Sequence, residues 1–205
     1  MLKTVMAVIA GAWLAWSPVR AAPAELEAGA ALLSQVTSQP ARAFSTTDFG
    51  REQNPLARSV LVPEPAAERL LDQVRKRLAP GLVAFVGVTN SLAEPKPVGV
   101  ELVVAQGRDQ FDILRTAQTD GVNYELDTEA IVAELRAWDK EFGIDIWQAE
   151  TDTVQLRLKT MPKNVLAFAQ RVYKFCPDIV DQGVGSVKEL AKEIEKTKSV
   201  GLWWD

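Results

Sequence analysis

The chain has 205 residues, 47% hydrophobic and 24% charged, with a formal net charge of −4: enough for one domain with a buried core, and a balance unlike that of a disordered or fibrous chain. Histidine is absent and cysteine occurs once, as Cys176, which removes imidazole-activated nucleophiles, imidazole metal sites and any internal disulfide. The densest basic run, Arg75-Lys76-Arg77, reads as the solvated face of an amphipathic helix, so neither nucleic acid nor an anionic membrane surface is an expected partner.

Lys3, an apolar stretch over residues 6–16 and Val19-Arg20-Ala21 have the layout of a signal peptide over residues 1–21, cleaved after Ala21. The apolar stretch is shorter than the ~20 residues of a membrane span, so the expected product is periplasmic or secreted with no stable membrane insertion; an uncleaved N-terminal anchor is the rival reading. Loss of Lys3 and Arg20 leaves 21 basic residues against 27 acidic and moves the net charge to −6. Export also puts Cys176 in an oxidising compartment without an intrachain partner, either as a buried small hydrophobe or as a reactive or intermolecular thiol.

Residues 22–62 read as an alanine-rich helix followed by a loose linker, because residues 37–56 are polar, lack periodicity and contain Pro40 and Pro55. A single domain is expected over residues 63–205. It opens with a helix from Pro65, with Ala67, Leu70, Leu71, Val74 and Leu78 on one face and Pro80-Gly81 as its stop. Residues 82–89 are nearly all apolar, as in a strand buried on both faces, and pair antiparallel with residues 98–105 across a loop at 90–97.

A helix over residues 109–117 follows. Asp127-Thr128 caps the next, whose apolar stripe is Ile131, Val132, Leu135 and Trp138 and whose end is Gly143. Residues 144–149 and 154–158 alternate as a hairpin. Pro162 opens another helix, which ends near Cys176 because Pro177 restricts the residue before it. Ser186 and Glu189 have capping-box spacing ahead of Leu190 and Ile194, and residues 202–204 close the chain as a strand. The class is α+β: a mostly antiparallel sheet with helices packed on one face, and an element order that suggests a ββαα duplication.

Carboxylates are the one catalytic group in supply. Asp178 and Asp181 flank Ile179-Val180, and paired acids beside tryptophan suit glycoside hydrolysis; alternatively Asp178 bonds to loop amides. No cofactor and no metal are expected: Gly183-Val184-Gly185 lacks the rest of a phosphate loop, EF-hand spacing is absent, and one cysteine with carboxylates is no usual zinc set. Trp203 and Trp204, adjacent on a strand, point to opposite faces, so at most one is core.

Asn123-Tyr124, Trp138-Asp139 with Phe142-Gly143, Phe175-Cys-Pro-Asp-Ile-Val-Asp-Gln-Gly183 and Leu202-Trp-Trp-Asp205 together resemble the bacterial family known as domain of unknown function 4253, over residues 109–205. The resemblance implies a bacterial origin and a domain boundary, and supplies no catalytic residue or cofactor. The expected function is therefore a non-enzymatic domain that binds a protein or small-molecule ligand through Asp178, Asp181, Gln182, Trp203, Trp204 and Asp205. In this reading Cys176, Pro177 and Gly183 form a structural corner. The alternative is a carboxylate-dependent hydrolase acting on cell-envelope glycans; in a third reading the whole signature is a packing device.

Overall fold

The computed structural model describes residues 23–45, 53–87 and 99–205. Its strands are β1 (Arg42–Ser45), β2 (Gln53–Val62), β3 (Leu82–Gly87), β4 (Val100–Gln106), β5 (Ile144–Ala149), β6 (Thr153–Leu158) and β7 (Ser199–Trp203). Its helices are α1 (Pro23–Thr37), α2 (Ala67–Arg75), α3 (Asp112–Ala117), α4 (Thr128–Phe142), α5 (Val165–Phe175) and α6 (Val187–Thr197). The strands form one sheet in the order β1-β2-β4-β3-β5-β6-β7, antiparallel at every junction except β3 beside β5. The α+β class and the mostly antiparallel sheet are as the sequence predicts.

The pleat of β3 and β4 divides their apolar residues between two cores. Val83, Phe85, Val103 and Ala105 join the larger core, shared with α3 to α6, while Leu82, Ala84, Val86, Leu102 and Val104 join a smaller one under α1 and α2. Helices therefore cover both faces, which corrects the one-face arrangement: strands apolar on both sides need a cover on both. Leu26, Ala30 and Leu33 form the buried stripe of α1. Gly29 lets that helix lie close to the sheet, since a Cβ there would sit 2.7 Å from Val104 Cγ1.

The linker expected over residues 37–56 is in part sheet, and β2 lies between β1 and β4. Pro55 misleads because it occupies the irregularity in the β1–β2 pairing, where the register jumps between Ala43↔Arg58 and Phe44↔Asn54; there the ladder loses nothing by the missing N–H. α5 starts at Val165 rather than Pro162, where Asn164 Oδ1 accepts the Ala167 N–H at 2.9 Å. Ser186 caps α6 as expected through the Glu189 N–H at 3.2 Å, but the Glu189 carboxylate is held by Lys192 at 2.6 Å. The two ββαα units do not repeat in space. β4 and β6 flank the parallel β3–β5 pair on opposite sides while both helix pairs pack in the same core, an arrangement no rotation of one unit onto the other can produce. The residues expected to form a signal peptide, 1–21, and the expected 90–97 loop lie outside the described residues.

The β3–β5 junction is registered only at Val86↔Gln148, beside a bulge at Trp147. Backbone groups that a longer ladder would pair need partners elsewhere, and two side chains supply them. Arg75 donates Nε to Ala84 O on β3 at 2.9 Å and Nη2 to Ile146 O on β5 at 2.6 Å, while its Nη1 meets Asp145 Oδ1 at 2.7 Å. Gln110 donates to Ile144 O at 3.2 Å and accepts the Ile146 N–H at 2.9 Å. Arg75 is thus a half-buried wedge between strands, where its charge pattern alone predicts a solvated residue.

Candidate functional site

The C-terminal signature is built around Asp178, which is only 4% exposed. Pro177 ends α5, and its carbonyl accepts the Val180 and Asp181 N–H groups at 2.9 and 3.0 Å, starting a wide turn over Ile179–Val184. Asp178 Oδ1 accepts from Tyr124 Oη at 2.6 Å and Gln182 Nε2 at 3.1 Å; Oδ2 accepts the Asp205 N–H at 2.9 Å. One carboxylate therefore joins the loop before α4, the turn after α5 and the C-terminal segment. Burial by itself raises its pKa, but these three donors outweigh burial and hold the carboxyl below the usual carboxylate range. The same bond pushes the Tyr124 hydroxyl up to about 12.

Cys176 is fully buried and donates its S–H to Trp203 O at 2.9 Å. Burial, against backbone hydrogen bonds at Trp203 and Ile179, pushes its thiol up to about 11, the opposite of what a nucleophile needs. Gly183 lies against the Trp203 ring, where a Cβ would come within 2.6 Å. Trp204, 4% exposed, is the core member of the pair: its Nε1 donates to Phe175 O at 3.3 Å and its ring meets Phe175 edge-on at 5.5 Å. Edge-to-face contacts continue from Phe175 to Trp138, Phe168 and Phe142, a line of five rings through the larger core.

Of the predicted surface residues, Asp178 and Trp204 are interior, Trp203 is half-buried, and Asp181, Gln182 and Asp205 are exposed. Asp181 accepts from Tyr173 Oη at 3.1 Å. The open surface beside the signature is formed by other residues. Thr119 Oγ1 donates to Glu150 O at 2.6 Å, the Asp120 N–H to Thr151 O at 2.8 Å, and the Trp204 N–H to Asp152 O at 3.0 Å. The loop before α4, the β5–β6 turn and the C-terminal segment are thereby tied around a cavity of about 390 Å³. Asp120, Asp152 and Asp205 place carboxylates on its wall, Trp204 backs it, and Val122 stands at its mouth 73% exposed. Gly121 permits this packing, since a Cβ there would be 2.9 Å from the Trp204 ring.

Sequence reasoning misses Asp120, Val122 and Asp152 because they come from two distant loops with no shared motif. Tyr124 is in the signature, yet its partner is 54 positions away. Among the described residues no three His, Cys, Asp or Glu side chains converge as a metal site, and no helix is long and apolar enough to cross a membrane.

The family model for domain of unknown function DUF4253 matches residues 101–205, so the match starts on β4, ahead of Asp109. Comparison with curated proteins and with solved structures finds no match. The matched segment contains β4 and β5 but not β3, the strand between them.

Proposed function

Because the chain belongs to the DUF4253 family of domains of unknown function, we propose its role from its own geometry: an exported, non-catalytic binding module that takes a cationic ligand in the cavity beside the C-terminal signature. The observation that carries the reading is that cavity, about 390 Å³ with three carboxylates and a tryptophan on its wall. Its volume falls in the range of small-ligand pockets, its wall combines an aromatic surface with charge of one sign, and exposed Val122 adds an apolar contact at the mouth.

Asp178 serves this role indirectly, since a carboxylate whose oxygens accept three internal hydrogen bonds is a frame for the surface rather than an acid or base in it. Export rests on the charged, apolar and small-residue segments of residues 1–21. The test is a titration of isotope-labelled protein, beginning at Ala22, with a lysine-rich peptide and with a glutamate-rich peptide of equal length. The expected result is salt-sensitive shifts at residues 119–127, 150–153 and 203–205 with the lysine-rich peptide only, weakened by Asp120→Asn combined with Asp152→Asn. Equal response to both peptides, or none at these residues, refutes the site. Mass measurement of the protein recovered from the envelope fraction tests cleavage after Ala21.

A further inference from the structure

A second cavity, also about 390 Å³, lies between the C-terminal end of α4, the loop over residues 159–164 and the first turns of α5. α4 and α5 converge here on Phe142 and Phe168, whose rings meet edge-on at 5.0 Å, and Met161 and Pro162 complete an apolar wall. The mouth carries Glu141, Arg171 and Lys163. Arg171 Nη1 and Glu141 Oε2 are 2.7 Å apart and cancel each other, while Lys163 has no ion pair among the described residues.

One of the two helix ends here reinforces this sign and the other opposes it. The positive N-terminus of the 11-residue α5 faces the cavity at Asn164 and Ala167, whereas at the negative end of α4 the Phe142 carbonyl is taken by the Thr160 N–H at 2.9 Å. The cavity thus offers an apolar interior under a cationic mouth. It lies at the other end of α4 from the loop that carries Asp120 and Val122 of the acidic cavity.

We propose that this cavity is a site for a small amphipathic carboxylate, a molecule with an aliphatic or aromatic body and one anionic head. The body lies against Phe142, Phe168 and Met161, whose flexible thioether adapts to its outline. The head meets Lys163 and the first turn of α5. The assignment goes beyond the cationic-ligand reading and does not depend on it, because the two cavities share no residue.

Octanoate, octylammonium and octanol, matched in chain length, separate the head group from the body when each is titrated into the protein by calorimetry and amide chemical shift. Octanoate should bind tightest, with shifts centred on Phe142, Met161 and Ala167. Among shorter homologues each added methylene should tighten binding about fourfold until the cavity is full. Lys163→Glu should weaken octanoate about tenfold. Ala167→Phe, which fills the cavity from an exposed wall position without disturbing the core, should abolish binding while the unfolding midpoint is retained. Octylammonium or octanol binding as tightly as octanoate, octanoate binding unchanged in Ala167→Phe, or no octanoate binding at millimolar concentration would each overturn the assignment.

Discussion

Replacing Arg75 by methionine keeps much of the apolar stem and removes the guanidinium that separates β3 from β5. The Ala84 and Ile146 carbonyls lose their donors and Asp145 loses its closest cation, although Arg157 Nη1 still lies 3.3 Å from Asp145 Oδ2. A buried acceptor left unpaired costs about 1–3 kcal/mol; with the Arg75 side chain 24% exposed, water reaches part of the gap, and about 1–1.5 kcal/mol per carbonyl is the appropriate figure. The half-exposed ion pair adds less than about 1 kcal/mol. The expected loss is therefore about 2–4 kcal/mol, a large part of the ~5–15 kcal/mol by which domains are stable.

Urea unfolding followed by circular dichroism should show a lower midpoint at unchanged slope, the signature of lost stability rather than an altered unfolded state. Arg75→Lys should recover less than half, since an ammonium cannot span both carbonyls with a planar fork. Gln110→Ala attacks the same junction through Ile144 and Ile146, so the double variant should lose less or more than the sum of the singles. A loss below about 0.5 kcal/mol for Arg75→Met would refute the wedge.

The Asp178 carboxyl has a lowered pKa, so the stability it contributes is present above the unfolded value near 3.9 and is lost as pH falls through the folded value. Asp178→Asn should accordingly flatten the acid limb of the stability curve below about pH 4. Tyr124 is shifted upward, so its contribution persists below about pH 10 and disappears as pH rises through about 12, a limb that Tyr124→Phe should remove. Cys176 should resist alkylation at pH 8 in the native protein and react at once in urea, with rapid native-state labelling counting against a buried, hydrogen-bonded thiol. Trp204→Ala should cost about 3–5 kcal/mol, as for other fully packed aromatics, and half-buried Trp203→Ala clearly less; equal costs would contradict their different burial.

Local patterns alone determined most elements. Asp127, Asn164 and Ser186 each bond an amide three residues onward, and the apolar spacings of α2, α4 and α6 select buried faces, because such interactions span no more than a few turns. The signature around Cys176 and Trp204 was legible as a unit in the chain, and its family identity with it. Its wiring was not. Tyr124 reaches Asp178 across 54 positions, and Asp120, Asp152 and Asp205 share a cavity only because the sheet brings two loops and the C-terminal segment to one end. Arg75 shows the same limit most clearly. On a helix next to Lys76 and Arg77 its charge predicts solvent, and only the short parallel pairing of β3 with β5 creates carbonyls that need it. Periodicity and capping fix what a segment becomes; backbone groups left unpaired between distant segments decide which polar side chains turn inward, and that demand exists only once the sheet is assembled.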